Sequence, residues 1–72
     1  MPTMSELREF RERQGWTLAE VTGLTGLSKG YLSLIERNLR EPSPAMKVRI
    51  ARGVGASVAE LFPPAEHEAV NA

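Results

Sequence analysis

Apolar residues recur along this chain at spacings of three and four, broken at short intervals by glycine, proline and hydroxyl residues. That period belongs to helices, and no strand alternation replaces it. Residues 17–37, TLAEVTGLTGLSKGYLSLIER, organise the rest. They predict two short helices joined by a glycine turn. The first covers about residues 17–25, Gly26 turns the chain, and Ser28 opens a second helix ending near Arg37. Thr17 and Glu20 have capping-box spacing, and Trp16 and Val21 stand at the two positions of a hydrophobic staple. Leu27, Leu32 and Ile35 give the second helix an apolar stripe, whereas Lys29, Gly30, Ser33, Leu34 and Arg37 fall on other faces.

The flanks carry the same punctuation. Residues 3–14 predict a first helix, capped by Thr3 with Glu6 or by its rival Ser5. Met4, Leu7, Phe10 and Gln14 follow its apolar spacing, and Glu9 and Arg13 can pair across one turn. Gly15 ends it. After Arg37, Asn38 is suited to a left-handed cap, and Pro42 and Pro44 keep Glu41 and Ser43 out of helical geometry. Ser43 as cap and Pro44 as first residue predict a helix over about 44–53, with Met46, Ile50, Ala51 and Val54 toward the core. Gly55 ends it. Ser57, with Glu60 as its capping-box partner, opens a last helix over 58–62, which Pro63 and Pro64 stop. The expected fold is all-α: a compact five-helix domain over residues 1–62 and a short flexible tail over 63–72.

Length and composition narrow the function. Seventy-two residues predict one domain with a small core. Without cysteine, disulfides and thiolate metal sites are excluded. No apolar run approaches the roughly 18 residues of a membrane span, and the charged N-terminus does not fit a signal peptide, so a cytoplasmic location is expected. The formal net charge is zero but unevenly spread. Residues 29–52 carry six cations against two glutamates, whereas 53–72 carry three glutamates and no cation. A basic middle suits an anionic partner; an ordinary solvated surface has the same charge pattern.

Catalysis has little to work with. The chain lacks Asp as well as Cys, and its one histidine, His67, falls in the predicted tail. No nucleophile has a well-held base, no ligand cluster forms a metal site, and the glycines lack phosphate-loop spacing. Neither an enzyme nor a cofactor is expected. DNA binding has more. A short helix presented by a tight turn can enter the major groove with its N-terminal side chains on base edges. Lys29 can donate to guanine O6 and N7, Gly30 allows close backbone approach, Ser33 can donate or accept, and Leu34 can press on a thymine methyl. Tyr31, Arg37, Asn38 and Arg40 suit phosphates, which fix register without reading sequence. Each also has a plainer reading: Leu34 as an interhelix contact, Tyr31 as half-buried packing, and Lys29 as an exposed lysine that opposes the helix dipole.

The ordered series Trp16-Thr17, Glu20-Val21, Gly26-Leu27-Ser28, Tyr31-Leu32-Ser33 and Ile35-Glu36-Arg37 closely resembles the helix-turn-helix of the phage-repressor and Cro-like family, the XRE family. The match continues through Pro42-Ser43, Ile50-Ala51, Gly55, Ser57 and Glu60-Leu61-Phe62, covering about residues 4–62. The resemblance implies a five-helix domain whose third helix reads the major groove, usually as a two-fold dimer. It implies base-facing roles for Lys29, Gly30, Ser33 and Leu34, and phosphate contacts at Thr17, Ser28, Tyr31, Arg37, Asn38 and Arg40. It further implies an ion pair of Arg11 with Glu36, and a dimer contact at Val54, Ala56, Val58, Leu61 and Phe62.

Several positions depart from the family. Leu18 stands where a phosphate-binding glutamine is common, so amides near Thr17 replace that contact or it is lost. Thr22 stands for a small alanine, Thr25 for an apolar residue, and Lys47 for another apolar residue. A buried threonine can bond back to a carbonyl one turn earlier, and a lysine can snorkel. Exposure of Leu24 and Leu34 would leave more apolar surface than a monomer wants. The expected function is a sequence-specific transcriptional regulator, a repressor acting as a homodimer on double-stranded DNA. The resemblance also leaves activation open beside repression, since acidic residues of helix 2, where Glu20 lies, touch RNA polymerase in some relatives. The rival is a helical module that binds a protein such as a toxin, favoured by zero net charge and by Leu18, Leu24 and Leu34.

Overall fold

The computed structural model describes residues 5–64. Five helices follow one another: α1 Glu6–Gln14, α2 Leu18–Thr25, α3 Lys29–Glu36, α4 Pro44–Val54 and α5 Val58–Leu61. Every start carries a hydroxyl cap. Ser5, Thr17, Ser28, Ser43 and Ser57 each accept a hydrogen bond from the amide three residues on, which satisfies an otherwise orphaned donor. At Thr17 the box is complete, since the Glu20 carboxylate accepts from the Thr17 N–H at 2.7 Å. Gly15, Gly26 and Gly55 end α1, α2 and α4 in the left-handed region, where a Cβ would be strained.

Some expectations are corrected. Ser5 caps α1, which therefore starts at Glu6; Thr3 and Met4 lie outside the described residues, as do His67 and the tail from residue 65. Gln14 is exposed. The ion pair along α1 is Arg8–Glu12 at 3.1 Å rather than Glu9–Arg13, and Arg13 lies over the Phe10 ring. α4 extends to Val54, and α5 stops at Leu61 with Phe62 as its C-cap. Ser57 caps α5, but the reciprocal bond from Glu60 is not formed.

The core gathers one stripe from every helix: Leu7 and Phe10, Val21, Leu32 and Ile35, Ile50 with Ala51 and Val54, and Leu61. Complete burial of a leucine or isoleucine contributes about 1.5–3 kcal/mol, so Leu7, Leu32 and Ile50 do much to stabilise so small a domain. Trp16 meets Phe10 edge-on at 6.2 Å, closing the corner between α1 and α2.

The departures at α2 are accommodated unequally. Thr25 is buried, donates from Oγ1 to the Val21 carbonyl at 2.9 Å and accepts from the Leu27 amide at 3.2 Å. Its hydroxyl thus steadies the turn. The Thr22 hydroxyl is buried with no hydrogen-bond partner among the described residues. Lys47 snorkels: its stem is half-buried, and its ammonium meets Glu41 at 2.6 Å and lies 5.6 Å from the Phe62 ring centroid.

Candidate nucleic-acid interface

The unit formed by α2, Gly26 and α3 is locked to the scaffold from two sides. On one side α4 packs against α2 at Gly53, where a Cβ would come within 2.7 Å of the Leu24 carbonyl oxygen. Arg49 reaches back from α4 and donates from Nε to the Thr25 carbonyl at 3.0 Å, satisfying an acceptor at the negative end of α2. On the other side Arg11 grips the end of α3. Its Nε and Nη2 donate to the two Glu36 oxygens at 2.7 and 3.0 Å, and its Nη1 donates to the Trp16 carbonyl at 2.8 Å. Glu36 is only 4% exposed, so this fork compensates a carboxylate that has left water. The hydrogen bond to Glu36 raises the Arg11 pKa above its ordinary value; burial opposes this, and the charges of Glu36 and Glu12 add to it.

With Leu32, Ile35 and Glu36 buried, the opposite side of α3 is left outward. Lys29 and Gly30 are exposed, and among the described residues no atom outside the local backbone lies within 4 Å of a Cβ built at Gly30. Ser33 and Leu34 are half-buried, one turn further along. Helical geometry puts these four positions on one continuous strip. Leu24 is 45% exposed.

The loop after α3 is tightly built. Asn38 has a φ of 61°, its N–H bonds to the Ile35 carbonyl at 3.0 Å, and the Leu39 N–H bonds to the Leu34 carbonyl at 2.9 Å. This reverses the chain. Arg37, Asn38 and Arg40 are exposed, and the Arg40 guanidinium lies 5.6 Å from the centroid of the half-buried Tyr31 ring. Thr17 and Ser28 are exposed too; each oxygen is used as a cap acceptor, which leaves the hydroxyl proton free to donate. None of Lys29, Arg37 and Arg40 is in an ion pair among the described residues, whereas Arg8, Arg11 and Lys47 each are.

The residues assigned by resemblance to a dimer contact divide. Val54 and Leu61 are 7% and 2% exposed, closed within the core of one chain. Ala56, Val58 and Phe62 are half-buried at its margin. Three residues that matter were not singled out in the sequence. Arg49 had only its place in the basic segment. Leu39, 65% exposed between two arginines, had no periodic signal. Gly53 did have one, because a glycine inside a helix marks close approach.

Residues 5–62 match the family described as "Helix-turn-helix domain". The chain belongs to the repressor- and Cro-like helix-turn-helix family of DNA-binding transcription regulators. It is 34% identical over 58 residues to the HTH-type transcriptional regulator SutR of Escherichia coli, covering 81% of this chain and 33% of SutR. It is 34% identical over 62 residues to the uncharacterized HTH-type transcriptional regulator y4dJ of Sinorhizobium fredii, covering 86% of this chain and 80% of that protein. With SinR of Bacillus subtilis the identity is 33%, over 78% of this chain and 51% of SinR. The chain thus spans a third of SutR and about half of SinR. In fold it is similar to the hypothetical transcription factor NHTF from Neisseria, with a TM-score of 0.73 at 24% identity over 93% of this chain and 77% of that one. No helix among the described residues of this helix-turn-helix protein is long and apolar enough to cross a membrane.

Proposed function

We propose that this chain is a cytoplasmic repressor that occupies an inverted-repeat operator as a homodimer, with α3 of each copy in the major groove. The observation that carries this reading is the division of cations. On the scaffold Arg8, Arg11 and Lys47 meet carboxylates, Arg13 lies over the Phe10 ring and Arg49 is spent on the Thr25 carbonyl, whereas Lys29, Arg37 and Arg40, clustered on α3 and the loop after it, are exposed and have no carboxylate partner among the described residues. Lys29, Ser33 and Leu34 carry sequence selectivity, with Gly30 letting the backbone approach. Thr17, Ser28, Tyr31, Arg37, Asn38 and Arg40 meet phosphates and carry affinity.

A single reading helix covers only a few base pairs, and a two-fold dimer sets half-sites about 34 Å apart. The dimer contact is assigned to Ala56, Val58 and Phe62, since Val54 and Leu61 are used within the monomer. The binding domain spans residues 1–62. The Glu20 carboxylate accepts from the Thr17 amide and stays exposed, so a contact with RNA polymerase is a separate proposal from the repressor reading.

Selection from random duplex DNA at two salt concentrations tests the reading. Enrichment of an inverted repeat, with affinity falling steeply as salt rises, is the expected result. The rival, a module for a protein partner such as a toxin, draws on the exposed Leu24, Leu39 and Val48. Salt-insensitive binding to a protein, without duplex affinity, would establish it instead.

A further inference from the structure

We propose that Tyr31 is a positioning residue whose aromatic face holds the Arg40 guanidinium beside the first turn of α3, ready for a DNA phosphate. This rests on the DNA-binding reading above and adds to it a role for the ring that is separate from the hydroxyl.

The path of the chain makes the contact informative. Arg40 follows the far end of α3, yet its guanidinium lies over Tyr31, a residue of the first turn. The reversal at Asn38, fixed by the amide bonds to Ile35 and Leu34, brings it back. Tyr31 is itself held: it packs against the core, and its amide donates to the Ser28 hydroxyl at 3.1 Å. A rigid ring thus carries a cation on a flexible stem, and that cation has no carboxylate partner among the described residues.

Stacking uses the face of a guanidinium and leaves its edge N–H groups for an anion. An arginine that is already placed loses less rotamer freedom when it grips a phosphate. An exposed contact of this kind is worth a factor of about two to five in affinity. Tyr31 also borders an open groove with Gly26, Leu27, Ser28 and Met46, so the placed charge stands at the entry to α3 rather than at its exit.

The test is the cost of Arg40→Ala in three backgrounds, measured on a mixed-sequence duplex at low salt, because a phosphate contact needs no operator. Arg40→Ala is expected to cost the same factor in the parent and in Tyr31→Phe, and about two- to fivefold less in Tyr31→Leu. In the free protein, ring current should shift the Arg40 side-chain protons upfield in the parent and in Tyr31→Phe, but not in Tyr31→Leu. Tyr31→Met replaces Tyr31→Leu if that variant does not fold. An equal cost in all three backgrounds would overturn the proposal. So would loss of the coupling in Tyr31→Phe, which would give the role to the hydroxyl. No duplex affinity in the parent would overturn the DNA-binding reading itself, and this inference with it.

Discussion

Replacing Gly53 by alanine is expected to destabilise this domain, although the same change improves intrinsic helix propensity. Alanine inside a helix gains about 1 kcal/mol over glycine. At Gly53, however, the new methyl would sit 2.7 Å from the Leu24 carbonyl oxygen, 2.9 Å from Thr25 Cγ2 and 3.1 Å from Thr25 Cα. Two of these three atoms are backbone, which cannot swing aside as a side-chain tip can. Relief requires α4 to move away from α2, and overpacking of this kind costs about 1–3 kcal/mol. The net loss is therefore up to about 2 kcal/mol, toward the upper end because two of the contacts are backbone. In a domain of this size that lowers Tm by about 4–8 °C per kcal/mol, within reach of a thermal melt followed by circular dichroism. Gly23→Ala is the control. Gly23 is also helical, no atom of the described residues outside its local backbone lies within 4 Å of its built Cβ, and the substitution should raise stability by about 1 kcal/mol. If Gly53→Ala melted at or above the parent temperature, α2 and α4 would not approach as closely as described.

Other substitutions probe the anchor and the reading strip. Arg11→Ala leaves the Glu36 carboxylate buried and unpaired and should cost about 3–5 kcal/mol in urea unfolding, whereas replacing both residues by apolar ones of similar volume should cost far less. The Arg11 pKa is raised by folding, so its contribution is fully present below the ordinary arginine value and is lost only as pH rises through the higher folded value. The penalty should therefore show no dependence on Arg11 titration between neutral and mildly alkaline pH. Thr22→Val removes a buried hydroxyl that has no partner among the described residues and should stabilise by about 1 kcal/mol, read from the same melts. Lys29→Ala should weaken operator binding by about 1–3 kcal/mol and relax preference at one base pair; uniform weakening across sequences would remove its base-reading role. Gly30→Ala should raise Tm yet lower operator affinity, since its methyl points into open space on the reading strip.

The helix limits were legible because capping is local. Ser or Thr at the start and Gly, or Asn38 after α3, just past the end are read within a few residues, and they place α2, α3 and α4 to within a residue. The Arg11–Glu36 contact spans 25 residues and was accessible only through resemblance to a family. Long-range contacts without such a precedent were not legible. Arg49 on the α2 terminus and Gly53 against Leu24 depend on how α4 crosses α2, which no local spacing encodes. Val54 and Leu61 show the same limit from another side. An apolar residue at helical spacing has the same sequence signature in a core as at a dimer face, and only packing separates the two. Along α1, Glu9–Arg13 and Arg8–Glu12 are both one turn apart, so spacing alone did not choose between them.

The two sides of α3 divide labour in a way that bears on how such a regulator changes over generations. Leu32, Ile35 and Glu36 fasten the helix to the domain, while Lys29, Gly30, Ser33 and Leu34 occupy the outward strip. Surface substitutions away from special features usually shift stability by no more than about 0.5 kcal/mol. On the base-reading role proposed for that strip, drift along it can explore new target sites with little risk to folding, and an altered specificity needs few compensating changes elsewhere. On that proposal four residues hold the vocabulary, and the three beneath them keep it legible.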